Sequence, residues 1–454
     1  MYKIKTKLIA IALLLGVNFS TGVFGQTETL SFSLEEAQNY AIKNSYLSIT
    51  ADKDVEIADR KVLETIGTGL PQVNLTGNYQ RYLQTPLSLI PADAFSTDPL
   101  PAGSPEFIEL FLGTKQQMGL DLRADQLIFD GSYLVGLQAA KTFLQLSKND
   151  KKKTDIEVKS MVTEAYGNVL VAMRNVEILN GNVKSLEQSA FEVGELYKNG
   201  FVEEQDKDQI DLTLANVKNA YEQAVRSVDV LKNQLKFVLG TDIKNVVTLT
   251  DDLKSVTTLS TSTDYLSKEF DASSHIDYQI VSTQEEATSL LLKQQKATVL
   301  PSLSAFYNLS SNAYSNEFDF FDKKRFYNGQ LVGLNLTVPL FSGFGRMTRI
   351  QQAKLNLEKV EVAKKQVEQQ LQIQAQNSKS LYTFALSQFN TNENNLELAQ
   401  RIYNKTKIKY DEGISSSSEL TQANNQLLET QGNYIQAALQ LIKAKSNLDK
   451  ALNQ

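Results

Sequence analysis

The sequence predicts a mainly α-helical chain with a small β part: long antiparallel coiled-coil helices plus four membrane strands per chain. Three observations carry this. The eight prolines cluster in two windows, the windows hold short alternating strands, and the helical stretches repeat at a fixed offset of 213 residues.

The prolines come first. All lie between Pro71 and Pro105 or between Pro301 and Pro339. A proline costs roughly 3 kcal/mol inside a helix, so the proline-free stretches are free to run as long helices.

The two windows read as strand pairs. Val73, Leu75, Gly77 and Tyr79 alternate with polar residues, and Met118, Leu120, Leu122 and Ala124 do the same after a loop rich in Pro, Asp and Ser. In the second window Leu303, Ala305, Tyr307 and Leu309 alternate, then Val332, Leu334, Leu336 and Val338. The predicted strands span about 70–86, 115–129, 301–311 and 329–341. About ten residues suffice to cross a bilayer at a barrel's tilt, and one apolar face opposite one polar face is what a barrel with lipid outside and water inside needs. A soluble hairpin with one face on a core gives the same alternation.

The repeat is clearest in the helices. Leu214, Tyr221, Val228 and Leu235 recur every seven residues, in step with Val217, Ala224, Leu231 and Val238. Adding 213 gives Leu427, Tyr434, Leu441 and Leu448, with Thr430, Ala437, Ala444 and Ala451. This is a coiled-coil seam, present twice. Leu196-Tyr-Lys-Asn-Gly200 returns as Lys409-Tyr-Asp-Glu-Gly413, each glycine ending a long helix. Leu127-Ile-Phe-Asp-Gly131 returns as Leu340-Phe-Ser-Gly343, and Gly-Leu-Pro71 as Val-Leu-Pro301. Each half therefore reads helix, strand, strand, very long helix, glycine turn, helix: a first repeat over 26–265, with helices to about 240 and a linker to 265, and a second over 266–454. Each long helix would extend about 100 Å at 1.5 Å per residue.

Four strands cannot close a barrel, because single-chain membrane barrels begin near eight, and an open edge in lipid leaves backbone groups unpaired at several kcal/mol each. Copies must pool strands. Two copies would give an eight-stranded barrel plugged by its own side chains; three give 12 strands and room for a lumen.

Residues 1–25 read as a signal peptide: Lys3, Lys5 and Lys7, an apolar run from Ile9 to Val17, then small residues Val23 and Gly25 before a cut, with an uncleaved inner-membrane anchor as the rival reading. Removing those three lysines from 46 basic residues leaves 43 against 52 acidic ones, a net charge of −9. That disfavours nucleic acid as a partner. The chain has no cysteine, which excludes disulfides, thiolate metal sites and a cysteine nucleophile. Beyond the signal no apolar run is long enough for a membrane helix.

With its strand openings, its Phe-Asp-Gly131 and Phe-Ser-Gly343 turns and its two Tyr-x-x-Gly tips, the chain resembles the TolC-like outer-membrane efflux protein family, from about Leu34 to Leu452. The resemblance implies a homotrimer with a 12-stranded β-barrel in the cell outer membrane and an α-helical barrel in the periplasm. It implies an export channel of a tripartite efflux or type I secretion system, working with a periplasmic adaptor (membrane fusion) protein and an inner-membrane transporter. It also implies site residues. Asp206 and Tyr410 stand where the family places a link across the two tips; Ser415 replaces the family's arginine and cannot make the ion pair. Glu419 stands at a pore-narrowing acid, while Gln422 replaces the second. Three Glu419 carboxylates would form a ring that attracts cations. Gly200 and Gly413 correspond to the adaptor-contacting tips.

The residues give no catalytic constellation, no metal site and no cofactor motif, so an enzyme is not expected. His275 reads as a solvated or capping histidine, Gly343-x-Gly345 is too short for a phosphate loop, and Asp150-Lys-Lys-Lys153 reads as a wet helix face. The aromatics from Phe306 to Phe344 suit an interfacial belt or a packed surface loop. Three rival readings stand beside the exporter: a periplasmic coiled-coil structural or adaptor protein without membrane strands, a secreted enzyme using its carboxylates, and a passive pore.

Overall fold

The computed structural model describes residues 29–85, 87–95, 105–111, 113–261, 270–321 and 326–453. The expected signal segment, 1–25, lies outside them.

The chain begins with β1 (Thr29–Phe32), α1 (Leu34–Asn44) and α2 (Tyr46–Thr68). Ser33 opens α1 through a capping box with Glu36. The first membrane-type strands are β2 (Gln72–Arg81) and β5 (Gln116–Asp130), with a small hairpin of β3 (Leu87–Pro91) and β4 (Phe107–Phe111) between them. The sequence reads that stretch as a plain loop; Leu89, Ile90 and Ile108 pair it instead.

From β5 the chain passes without a linker into α3 (Gly131–Lys198), a helix of 68 residues. Asp130 makes this possible: its carboxylate accepts the backbone N–H groups of Ser132 at 2.7 Å and Tyr133 at 3.0 Å, capping the helix at the strand's last residue. A glycine turn leads to α4 (Glu204–Leu239).

Residues 241–261 are not the linker that the sequence suggests. They form β6 (Val246–Leu249), which pairs in parallel with β1, and α5 (Leu253–Ser260). The parallel pairing joins the chain's start to the end of the first repeat, and Val247, Leu253 and Val256 bury their side chains. The second repeat follows: α6 (Ile276–Ala297), β7 (Ser302–Ser315), β8 (Tyr327–Thr337), α7 (Gly345–Asp411, 67 residues) and α8 (Ser417–Ala451). β8 stops at Thr337, short of the expected 341. Pro339 has no N–H to continue a ladder, and residues 338–344 form a connection ending at Gly343 (φ +56°) and Phe344 (φ +65°).

The four membrane-type strands make one antiparallel sheet in the order β2-β5-β7-β8. Its register aligns Val73, Ala124, Tyr307 and Val332 across all four strands on one face. Asn74, Arg123 and Asn308 share the next row, on the other face. Val73, Leu75, Val332, Leu334 and Leu336 are exposed, so no described residue covers the apolar face. Among the described residues, the outermost strands β2 and β8 each keep one unpaired edge.

The main core lies where the helices cross β1, β6 and α5. Tyr166, Leu235, Leu239, Tyr382, Leu441, Ile442 and Leu448 are fully buried there. The Tyr166 hydroxyl donates to the Phe32 carbonyl (3.0 Å) or the Asp251 carboxylate (3.1 Å), and Asp251 accepts the Leu34 N–H at 2.7 Å. The Tyr382 hydroxyl donates to the Ser260 carbonyl at 2.8 Å. Each long helix thus fastens one end of the β1-β6-α5 cluster. Beyond this core the seam residues Val217, Ala224, Leu427 and Ala437 are buried along the hairpins α3–α4 and α7–α8, as the heptads require.

Two sequence expectations are refined here. His275 is a cap, and a buried one: its Nδ1 accepts the Asp277 N–H at 3.1 Å and its Nε2 meets the Lys450 carbonyl at 3.3 Å. The Asp150–Lys153 run is not simply wet. Lys151 pairs with Asp155 at 2.6 Å, and Lys153 with Asp277 at 2.8 Å, tying α3 to α6.

Candidate functional site

The site begins with the two helical turns. At the first, α3 ends, Gly200 takes φ +74°, and α4 starts with Glu203 as its N-cap; the Asp206 carboxylate accepts the Glu203 N–H at 3.3 Å. At the second, α7 ends, Gly413 takes φ +73°, and Ser416 caps α8 in a box with Glu419. Only a left-handed residue closes such a turn without strain, which is why glycine stands at both.

The offset makes the two turns equivalent residue by residue. Gly200 maps to Gly413, Glu203 to Ser416, Asp206 to Glu419, Tyr197 to Tyr410 and Glu204 to Ser417. Asp206 and Glu419 are thus the same capping position in the two repeats.

Their surroundings differ. Glu419 stays within its own turn, accepting from the Ser415 hydroxyl and, at 3.3 Å, from the Ser416 N–H. These bonds hold its carboxyl below the usual carboxylate range. Asp206 reaches out of its turn and accepts a hydrogen bond from the Ser417 hydroxyl, joining the start of α4 to the start of α8. The reciprocal contact would set Glu204 against Glu419, two carboxylates that repel, so the near-symmetry of the tips leaves room for one such bond.

Tyr410 and Asp206 line one cavity of about 540 Å³ together with Leu196, Phe201, Val202 and Ser417. A second, more polar cavity of about 370 Å³ has Asp206, Ser417, Gln205, Gln209, Gln422 and Asn425 in its wall. Tyr410 packs against both hairpin cores, touching the cluster of Val193, Ile210 and Val217 and that of Tyr403, Leu420 and Leu427. Its hydroxyl is buried and meets no hydrogen-bond partner among the described residues, Asp206 included. Burial and, after it, the charges of Asp206, Glu192 and Asp411 raise the phenol's pKa. Farther from the turns the hairpins are joined by Ser185 with the Tyr403 hydroxyl (2.9 Å) and by Asn182 with Gln431 (2.8 Å).

Sequence reasoning singles out Asp206, Tyr410, Glu419, Gly200 and Gly413, and the structure brings all five to one end of the molecule. It misses Ser417. The signal for it is the repeat itself: at a position where the first copy has an acid, the second has a hydroxyl that an acid can use.

A duplicated scaffold of this shape has known relatives. Residues 281–454 match the family model described as outer membrane efflux protein. That match lies within the second repeat. The fold of the whole chain matches solved outer-membrane channels. The structure of CusC, described in terms of transmembrane channel formation, superposes with a TM-score of 0.70 at 15% identity, covering 95% of each chain. The CmeC outer membrane channel of Campylobacter jejuni gives 0.69 at 18% identity, over 92% of this chain and 85% of that one. The outer membrane protein VceC of Vibrio cholerae gives 0.66 at 14% identity, over 92% and 95%. No curated protein sequence matches the chain. The first repeat is matched through the fold alone, since the family model covers only residues of the second.

Proposed function

We propose that the chain is the outer-membrane channel subunit of a tripartite efflux or type I secretion system. Three copies pool their sheets into a 12-stranded barrel in the outer membrane, and their helices continue it as a tube through the periplasm. The observation that carries this is the four-stranded sheet: its apolar face is uncovered and both its edges are open, while its polar face and two helices of about 100 Å continue one path. In lipid such a sheet is stable only when its edges pair with copies of itself.

The long helix α7 supports the same assembly. Leu355, Val362, Ile373, Phe384, Leu398 and Ile402 are exposed and fall on one helical face over about 70 Å. A soluble monomer rarely leaves so long an apolar stripe uncovered; neighbouring protomers cover it in the trimer. The Gly200 and Gly413 turns face the periplasmic adaptor, which couples the channel to an inner-membrane transporter. Asp206, Ser417 and Tyr410 hold the two hairpins of a protomer together at the mouth, and the Glu419 carboxylates ring it.

Fractionation and electrophysiology test this together. The protein is expected in the outer membrane, extractable only with detergent, and the purified trimer conducts ions in planar bilayers. Deleting the chain disables an energised exporter rather than passive permeation. Release of the intact protein with the soluble periplasmic fraction refutes the reading.

A further inference from the structure

The polar face of the sheet carries three charged side chains close together, all on β5: Asp121, Arg123 and Asp125. Arg123 is not free. Its Nε and Nη2 donate to the two oxygens of Asp125, each at 2.9 Å, in a bidentate fork. Its guanidinium also lies over the ring of Phe306 on β7, 4.8 Å from the centroid. Phe306 in turn lies across Gly333 on β8, where a Cβ would come within 2.7 Å of the ring. Gly333 therefore makes room for the aromatic, the aromatic supports the guanidinium, and the guanidinium faces Asp125. The cluster spans three adjacent strands. Asp121, two residues away on the same face, makes no ion pair with any described residue.

The Arg123–Asp125 pair is about half exposed, so it adds little to stability. Its consequence is electrostatic. Resting on the channel reading above, in which this face lines the lumen, we infer that Arg123 is a shielded charge whose cluster with Asp125 and Phe306 sets the ionic preference of the barrel, leaving Asp121 as its free charge. The cluster and Asp121 of each protomer then contribute one net negative charge to the lumen. Fixed charge of one sign in a narrow aqueous passage enriches the opposite ion, so the barrel prefers cations. The fork and the stack matter beyond the net count, because a planar guanidinium can be held in both ways at once and an ammonium cannot.

The experiment is the reversal potential of the full-length trimer in planar bilayers under a KCl gradient. The wild-type channel is expected to favour K⁺. Asp125→Asn cancels the net charge and exposes Arg123, and lowers the K⁺/Cl⁻ permeability ratio by about twofold or more. Arg123→Gln raises the ratio, and the double variant returns to the wild-type value, which also shows that the barrel assembles without the pair. Arg123→Lys keeps the charge count but loses the fork, and shifts the ratio in the same direction as Asp125→Asn. If Asp125→Asn leaves the ratio unchanged, or if Arg123→Lys matches the wild type, the inference is overturned while the channel reading stands. A wild-type trimer that conducts nothing defeats both.

Discussion

Replacing Ser417 by alanine removes the one hydrogen bond that joins the start of α4 to the start of α8 while leaving both helix caps intact. A hydrogen bond to a charged group nets about 1.5–3 kcal/mol. Asp206 is only partly buried, and solvent reduces this to about 1 kcal/mol. The proposed trimer would hold three such bonds, so a concerted opening would gain about 3 kcal/mol in the variant, or roughly 150-fold in the open-to-closed ratio. The assay is single-channel recording in planar bilayers, scored as open-state occupancy. Ser416→Ala is the control: it removes the N-cap of α8, costing about 1 kcal/mol of helix stability, yet leaves the Asp206 bond in place. Higher occupancy in Ser417→Ala than in Ser416→Ala is the expected result. Equal occupancy in wild type, Ser417→Ala and Ser416→Ala would refute the reasoning.

If Glu419 forms the proposed ring, Glu419→Gln should reduce cation selectivity in the same recordings, since three carboxylates would leave it; an unchanged ratio makes Glu419 a helix cap only. His275 is buried and neutral, with its pKa lowered below the usual 6.5 by burial, against the opposing pull of Asp277 and with Lys153 nearby. Stability from the neutral ring is therefore complete above about pH 6.5 and declines as pH falls below it, because the unfolded chain binds the proton more readily. Melting temperatures across pH 5 to 7.5 should slope more steeply in wild type than in His275→Asn, which keeps a capping side chain. Gly240→Ala meets two obstacles, a left-handed backbone (φ +76°) and the Asn44 carbonyl in the space a Cβ would occupy, whereas Gly413→Ala meets only the first. The latter should cost about 1–2 kcal/mol and the former clearly more, read as loss of melting temperature. Val362→Lys places a charge on the exposed stripe of α7 and should lower the trimer fraction on native gels without altering the helical signal of the monomer.

The helices and the strand pairs were legible because their rules are local. A heptad repeats every seven residues whatever it packs against, and Val73 or Val332 alternates with polar neighbours whether or not the next strand is known. Gly200 and Gly413 were legible because a left-handed turn tolerates few other residues. What stayed hidden was the contact between distant segments. Nothing in Val246–Leu249 announces a parallel partner at Thr29–Phe32, since four residues carry no period worth reading; the stretch looked like a linker for that reason. Lys153 looked solvated because its partner, Asp277, lies more than a hundred residues away. The Asp206–Ser417 bond was hidden in a different way. Serine is common at helix starts, and only the superposition of one tip on the other marks position 417 as the place where two copies diverge.

The passage from sheet to helix also has mechanical meaning. Within each protomer β5 runs into α3 with no residue between them, Asp130 capping the helix it ends on. β8 reaches α7 only through residues 338–344, which include two consecutive left-handed residues. One of the two long helices is therefore joined directly to the sheet and the other through a seven-residue connection. A shaft of about 100 Å turns a tilt of about 3° at its joint into a sweep of about 5 Å at its far end. In the proposed trimer, a tilt of the long hairpins would therefore be taken up at residues 338–344 on the α7 side, whereas on the α3 side it would have to break the Asp130 cap.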